Sequence, residues 1–386
     1  MHCPVERASE LTGLPTRETG RLGPTLDSLL AGATRLYVVG DIGDERPVQS
    51  RDDQFVSALA AKHRSLRETR DVTPIVRELR GRKSEAELEL LRKSAAITVD
   101  AQREAMRQIA PGQNEFETQA LIEYTFRRNG ADRPSFATIV GSGPNSTTLH
   151  YNADDRFMEA GDVVVMDVGS SYRGYAADVT RTVPVSGTFT AEQRQIYQIV
   201  RDAQAAAERQ LKPGAPVDRM RDSATAVIAA GLTRLGLIES PTATFECETG
   251  SARGSCPQYF MYYMHGLGHG IGLDVHDPEQ YYVTGKIEAG SAFTIEPGIY
   301  VRANLLEILA DTDRNRAMIA KIRPAVQRFA NIGIRIEDDY VVTDRGVEWI
   351  SKAPREIDEV EALMREEFAG PMPRDSTKVN WYKRTR

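Results

Sequence analysis

Residues 163–183 read VVVMDVGSSYRGYAADVTRTV, two apolar arms around a short polar turn, with one aspartate in each arm, Asp167 and Asp178. A two-residue hairpin loop centred on Tyr172 and Arg173 pairs residue 171 with 174 and, further out, Asp167 with Asp178. Directly opposed residues place their Cβ atoms about 4.5 to 5.5 Å apart on one face. Two carboxylates that close repel unless a cation lies between them. The plain alternative is a solvated hairpin face with accidental acids, and the depletion of Asp from strand interiors argues against it.

Working outward, the segment that precedes the hairpin is helical. Ser84 and Glu87 form a capping box, and Leu88, Leu91, Ala95, Val99, Met106 and Ile109 follow at helical spacing until Pro111-Gly112 stops the run. A second helix is expected from about Glu115 to Arg128, then strands at Ala137 to Val140, Val163 to Val168 and Tyr175 to Val183. The order then recurs. Thr190 and Gln193 make another capping box, Ile196, Ile199, Val200 and Ala203 mark a helix, Pro213-Gly214 ends it, and Val217 to Leu235 reads as its partner. Strand-like stretches follow near Tyr259, at Ala292 to Glu296 and at Ile332 to Val342. Helix, Pro-Gly, helix and strands, occurring twice, predict an internally duplicated α+β domain over 82–352. Residues 1–81 read as a small or incomplete N-terminal domain. A polar, helix-prone insertion lies between Arg302 and Ala330. The last stretch, 353–386, holds a charged helix (Ile357 to Phe368) and a basic end that reads as solvated.

The chain has 386 residues, 41% of them hydrophobic, and 49 Lys and Arg against 55 Asp and Glu, for a net charge of −6. That balance suits a large globular core, and without a clustered basic stripe it argues against nucleic acid as a partner. No apolar run reaches the length of a membrane span, and Met1 to Gly20 lack the apolar stretch of a signal peptide. Cys3, Cys247 and Cys256 fit neither a disulfide framework nor a CxxC metal site, so a reduced, cytoplasmic setting is the default. Cys247 and Cys256 are near enough in sequence to pair if the protein is exported, which stays open if the N-terminus is incomplete.

Two further acids stand on strands. Glu296 ends SAFTIE and Glu337 lies in GIRIEDDYVV, each on the face opposite its strand's apolar residues. Four of the six histidines, His150, His265, His269 and His276, follow the first helix pair, three of them in HGLGHGIGLDVHD. Glycine at every second position there disfavours a helix and lets a ligand or another strand approach the backbone. The HxxxH pair is therefore not a zinc-protease helix. Four carboxylates with one or more imidazoles, and no thiolate, suit Mn, Co, Fe or Zn in a two-metal site better than a structural zinc site. Metals about 3.5 to 4 Å apart activate water for hydrolysis.

Taken together, LHYNAD (149–154), MDVGSSYRGYAADVTRTVPVSG (166–187), HGLGHGIGLDVHD (265–277), FTIEPGIYV (293–301) and GIRIEDDYVVT (333–343) resemble the pita-bread metallopeptidases of the aminopeptidase P and prolidase branch. RKSEAELELLRKSAAIT resembles the helix that opens this domain in the family. The resemblance implies a pita-bread fold with a pseudo-twofold duplication, preceded here by an N-terminal domain shorter than usual. It implies that Asp167, Asp178, His269, Glu296 and Glu337 bind two divalent metals, Mn2+ first, with Co2+, Zn2+ or Fe2+ as alternatives, and that Asp178 and Glu337 bridge them. Glu296 would also carry the proton from the nucleophile to the leaving imino nitrogen. His150, His265 and His276 would orient the substrate and stabilise the oxyanion, and Arg335 would support the Glu337 carboxylate from behind. The implied activity is release of the N-terminal residue from peptides with proline second, by a homo-oligomer, a dimer. An Xaa-Pro dipeptidase is the near alternative. Some pita-bread domains are non-catalytic binding modules, but such modules usually lose metal ligands.

Overall fold

The alternation of two helix pairs with two groups of strands appears in the computed structural model, which describes residues 5–39, 51–249, 252–279 and 284–370. The chain divides into two units, Met1–Leu79 and Arg80–Arg386. In the first, α1 (Val5–Thr12), α2 (Leu22–Leu30) and α3 (Arg51–Lys62) accompany β1 (Arg35–Val38) and β2 (Glu68–Asp71), and α4 runs from Thr73 to Gly81. β1 and β2 pair in parallel from Arg35↔Glu68 to Val38↔Asp71. Leu30 is the only buried large apolar side chain of this unit among the described residues, so the unit has little core of its own.

The second unit opens with α5 (Glu85–Gln108). Its capping box forms as expected: Ser84 N donates to Glu87 Oε2 at 2.7 Å and Glu87 N to Ser84 Oγ at 3.4 Å. Leu88, Leu91, Ala95 and Met106 are buried, as the spacing requires, whereas Val99 is half-buried. α6 (Glu115–Arg128), capped by Asn114, packs on α5. β3 (Arg133–Pro134), β4 (Ile139–Ser142), β5 (Val163–Val168), β6 (Ser170–Tyr172), β7 (Tyr175–Ala176) and β8 (Val179–Pro184) follow. They form two antiparallel sheets, β4-β5-β8 and β3-β6-β7.

The second half repeats the plan. α7 (Ala191–Glu208), with the Thr190 and Gln193 capping box, packs on α8 (Asp218–Arg234). β9 (Thr244–Thr249), β10 (Ala252–Pro257), β11 (Ala292–Ile295), β12 (Gly298–Val301), β13 (Ile332–Arg335), β14 (Asp338–Thr343) and β15 (Gly346–Trp349) come after it. Buried glutamines on the first helix of each half repeat the duplication at atomic scale. Gln102 of α5 donates to Met166 O (3.0 Å) and Val179 O (2.8 Å), beside Asp167 and Asp178. Gln204 of α7 donates to Ile295 O (3.3 Å) and Ile336 O (3.4 Å), the residues before Glu296 and Glu337. Each amide satisfies strand carbonyls at a point where the ladder opens, which a buried backbone requires.

Several expectations need correction. The hairpin turns at Arg173 and Gly174, both at positive φ (53° and 86°), which matches the turn preferred by two-residue hairpins. Tyr172 pairs with Tyr175, so Asp167 lies opposite Thr180 and not opposite Asp178. The hairpin also kinks between its two sheets, because Gly169 passes so near the opposite strand that a Cβ on it would stand 1.8 Å from Ala177 O. The stretch near Tyr259 is a 3-10 turn, Gln258–Met261, preceded by the unforeseen β9-β10 hairpin. That hairpin sets Cys247 opposite Gly254 and Cys256 opposite Phe245, and the two cysteines are bridged at a Cα separation of 5.8 Å. The default of unpaired, reduced thiols therefore fails for this pair. The Ile332–Val342 run is two strands, since β13 pairs with β12 while β14 pairs with β11 and β15. The insertion is helical over Asp313–Arg328, and the late helix ends at Met364 and not at Phe368. The basic end beyond residue 370 lies outside the described residues.

Candidate metal centre

Each acid sits at or beside the end of a strand. Asp167 is on β5, and Asp178 immediately precedes β8, with its N–H turned out of the ladder toward the Asp339 carboxylate (3.3 and 3.2 Å). Glu296 follows β11 and donates its N–H to Leu267 O at 2.8 Å. Glu337 occupies the step between β13 and β14, with its N–H on Thr180 O (3.0 Å) and its Oε2 accepting from Thr180 Oγ1 (2.7 Å). The glycine-rich segment from His265 to Asp277 contains no helix and runs beside β11. Thr294 N donates to His269 O at 2.8 Å, and a Cβ on Gly268 would meet Thr294 O at 2.0 Å. Glycine is required there so that His269 can be delivered against the strand.

His269 Nδ1 lies 3.1 Å from Gly270 O, which fixes the proton on Nδ1 and leaves Nε2 as the free lone pair. Nε2 faces Asp178 Oδ2 at 3.5 Å, Glu296 Oε1 at 3.6 Å and Glu337 Oε1 at 3.9 Å. Donor atoms of Asp178, His269 and Glu337 all lie within 4.8 Å of one another, the span of one coordination sphere. Asp167 Oδ1, Asp178 Oδ1 and Glu337 Oε1 are buried without a hydrogen-bond partner. Buried carboxylate oxygens are costly when unpaired, and Glu337 Oε1, which also faces His269 Nε2, fits a cation's ligand, as do the open oxygens of Asp167 and Asp178.

The charge balance agrees. Burial, then the neighbouring Glu337, pushes both Asp178 and Glu296 well above the usual carboxylate range. Burial, then Asp167, pushes Glu337 to about 8. Burial also raises Asp167, but the Arg335 guanidinium outweighs it and holds that carboxyl below its ordinary value. Burial lowers both His265 and His269 to about 4, so both rings are neutral near pH 7. Neutral imidazole and crowded carboxylates are what a divalent metal binds.

Arg335 makes no direct hydrogen bond to Glu337 and reaches it only through Thr180 Oγ1; its direct carboxylate partner is Asp167. Its Nη2 bonds Asp167 Oδ2 at 2.6 Å, Nη1 bonds Tyr300 OH at 2.9 Å, and Nε bonds Thr180 Oγ1 at 3.2 Å. Of the other histidines, His265 bonds Tyr300 OH through Nε2 (2.9 Å) and has Nδ1 3.5 Å from Glu296 Oε2. The His276 ring stacks on His269 at 3.9 Å. His150 is exposed, near enough to His265 to lower its pKa electrostatically, and no hydrogen bond ties it to the acids. Sequence reasoning missed Tyr300, Thr180 and Asp339. Tyr300 and Thr180 lay within quoted motifs, but nothing in strand alternation marks a hydroxyl as holding a carboxylate or an imidazole in place.

The model of metallopeptidase family M24 matches residues 89–344, a span that carries all four acids and His269. The chain belongs to family M24. It is 35% identical over 297 residues to the Xaa-Pro aminopeptidase of Escherichia coli (strain K12), covering 76% of this chain and 62% of that protein. It is 34% identical over 314 residues to the human Xaa-Pro dipeptidase, covering 75% of this chain and 61% of the relative. The chain thus spans somewhat less than two thirds of these relatives. Among solved structures, Escherichia coli aminopeptidase P in complex with substrate superposes with a TM-score of 0.76 at 30% identity, over 93% of this chain and 77% of that one. Pseudomonas aeruginosa aminopeptidase PepP matches with the same TM-score, 0.76, at 30% identity and the same coverage, 93% and 77%. The M24 chain therefore has the pita-bread fold. No described helix is long and apolar enough to cross a membrane.

Proposed function

We propose that this chain removes the N-terminal residue from peptides with proline in second position, using two divalent ions held by Asp167, Asp178, His269, Glu296 and Glu337. The observation that carries the reading is the set of buried, unpartnered oxygens on Asp167, Asp178 and Glu337, together with Asp178 Oδ2, Glu296 Oε1 and Glu337 Oε1 at 3.5, 3.6 and 3.9 Å from His269 Nε2. Asp178 and Glu337, 3.5 and 3.9 Å from His269 Nε2, would be the carboxylates shared by both ions. The oxygen-rich set suits Mn2+ first, with Co2+, Zn2+ or Fe2+ as alternatives. When bound, such ions supply a water of lowered pKa and positive charge opposite the developing oxyanion.

The chain's own residues do the rest. Glu296, beside His265 and His269, can take the proton from the nucleophile and pass it to the leaving nitrogen. That transfer matters because an imide nitrogen before proline carries no hydrogen and must be protonated as it departs. His265, neutral, bonds Gly266 O through Nδ1 and Tyr300 OH through Nε2, which fixes its ring beside Glu296, and His276 stacked on His269 closes the other side. With His150 they orient the substrate. Arg335 keeps Asp167 ionised and in place.

A dipeptidase reading stays beside this one, because identity to the human Xaa-Pro dipeptidase, 34%, is close to that of the bacterial aminopeptidase, 35%. Metal-reconstituted protein assayed on Xaa-Pro and Xaa-Pro-Yaa peptides decides between them. We expect Xaa to be released from Xaa-Pro-Yaa, N-acetylated peptides to resist, and Xaa-Ala-Yaa controls to react poorly. Equal rates on alanine and proline peptides would end the Xaa-Pro assignment, and cleavage of dipeptides alone would make the protein a prolidase.

A further inference from the structure

The loop that carries His150 is fixed from outside itself. At its start, Leu149 O accepts from Arg335 Nη2 at 3.4 Å. Further on, the anchor is Glu115, the first residue of α6, which is fully buried. Its Oε1 accepts from Ser142 N (2.6 Å), Ser142 Oγ (2.7 Å) and Asn145 Nδ2 (3.2 Å). Its Oε2 accepts from Arg156 N (2.9 Å) and lies 3.0 Å from Tyr151 OH. One carboxylate therefore ties down the chain on both sides of 146–150. Between these ties, Ser146 packs on the strand that leads to Arg335 and Glu337: Gly333 N donates to Ser146 Oγ at 2.9 Å, and a Cβ on Gly333 would meet Ser146 O at 2.0 Å. Tyr151 is the neighbour of His150, and its hydroxyl stands 3.0 Å from both Glu115 Oε2 and Asp155 Oδ1. His150 itself is exposed and makes no hydrogen bond that would hold it.

We propose that Glu115 and Tyr151 are positioning residues that hold His150 in place, and that through His150 they set how tightly a peptide substrate is bound. The proposal rests on the Xaa-Pro reading for its substrate but not for its geometry. Glu115 is about 35 positions upstream of the residue it positions, so the link is invisible in sequence and arises because α6 begins beside the end of β4.

The test is a double-mutant cycle of Tyr151→Phe and His150→Ala, with kcat and KM measured on an Xaa-Pro-Yaa peptide. Removing one hydroxyl leaves Glu115's bonds to Ser142, Asn145 and Arg156 intact. Tyr151→Phe should raise KM roughly 5- to 10-fold, the scale of one ordinary hydrogen bond, with kcat within about twofold. In the His150→Ala background the same change should have no further effect, which a merely structural role for Tyr151 would not produce. Glu115→Gln should move KM in the same direction. Independent effects of the two substitutions, or an unchanged KM in Tyr151→Phe, overturn the proposal. Amide exchange across 149–155 separates the two readings. If the parent protein cleaves no Xaa-Pro peptide, the functional assignment fails, while faster exchange in Tyr151→Phe at unchanged global stability still supports the anchor. Unchanged exchange refutes it.

Discussion

Replacing Arg335 by Met tests whether its guanidinium serves Asp167 or Glu337. In the structure it bonds Asp167 at 2.6 Å, with side-chain exposures of only 4% and 12%, whereas Thr180 fills the corresponding position on Glu337 Oε2. Breaking a buried pair by removing one partner costs about 3 to 5 kcal/mol, because the other charge is left uncompensated. In metal-free protein Arg335→Met should therefore lower unfolding free energy by about that amount. Asp167→Asn added to Arg335→Met should recover much of the loss, giving a coupling energy of about 2 to 3 kcal/mol. The cycle with Glu337→Gln should give less than half of that, since the two groups are linked only through Thr180 Oγ1 and by through-space attraction. Urea unfolding of the single and double variants in excess chelator supplies all the values. Metal affinity gives a second readout: loss of a group that orients a ligand weakens binding about 10- to 100-fold. A coupling to Glu337 equal to that with Asp167 would refute the assignment of Arg335.

Asp178→Asn, which keeps shape but removes charge from the proposed bridge, should lower turnover by orders of magnitude with the fold retained by circular dichroism; near-normal turnover removes Asp178 from the site. Stability of the metal-free protein should fall between pH 6.5 and 8. Above 6.5 more than half of the unfolded histidine population is neutral, as folded His265 and His269 are, while Glu337, at about 8, still binds a proton that the unfolded chain has released, so the native state holds more protons and loses stability as pH rises. Asp178 and Glu296, raised in the same direction, add to the slope, and saturating Mn2+ should remove it; a flat or rising thermal midpoint across that range contradicts the picture of crowded acids. Cys256→Ser opens a bridge spanning 9 positions and should cost about 2.5 kcal/mol by loop-closure entropy, read by denaturant unfolding against the parent, where an unshifted midpoint would deny the bridge a stabilising role.

What was legible in the sequence follows from local physics. The capping boxes at Ser84 and Thr190 formed because a hydroxyl and a carboxylate or amide three residues on satisfy each other without help from the rest of the chain. α6 runs from Glu115 to Arg128 and β5 from Val163 to Val168, as their patterns require. The hairpin register failed by one position in turn placement, since positive φ at Arg173 as well as Gly174 moved the turn toward the glycine. The Ile332–Val342 run failed for a different reason: its alternation is continuous, but the strand changes partners at Ile336 and Glu337, and periodicity carries no information about which neighbour supplies the ladder.

The same limit explains the site. The acids stood out because carboxylates are out of place in buried strands, so each was visible alone, whatever it touched. Their supports were not visible, because Thr180, Tyr300 and Glu115 act by reaching across elements that meet only after folding. The misplaced partner of Arg335 shows the rule at work. Arg335 and Glu337 are two positions apart, and nearness in sequence suggested contact, yet alternate residues point the same way only while a strand continues, and this one ends between them. Asp167, 168 positions away, lies at hydrogen-bond distance instead. The break that lets Glu337 turn toward His269 is therefore also what leaves Arg335 facing the first half of the duplicated domain. The Arg335 pair thus joins β13 of the second half to β5 of the first, beside the acids that both halves contribute.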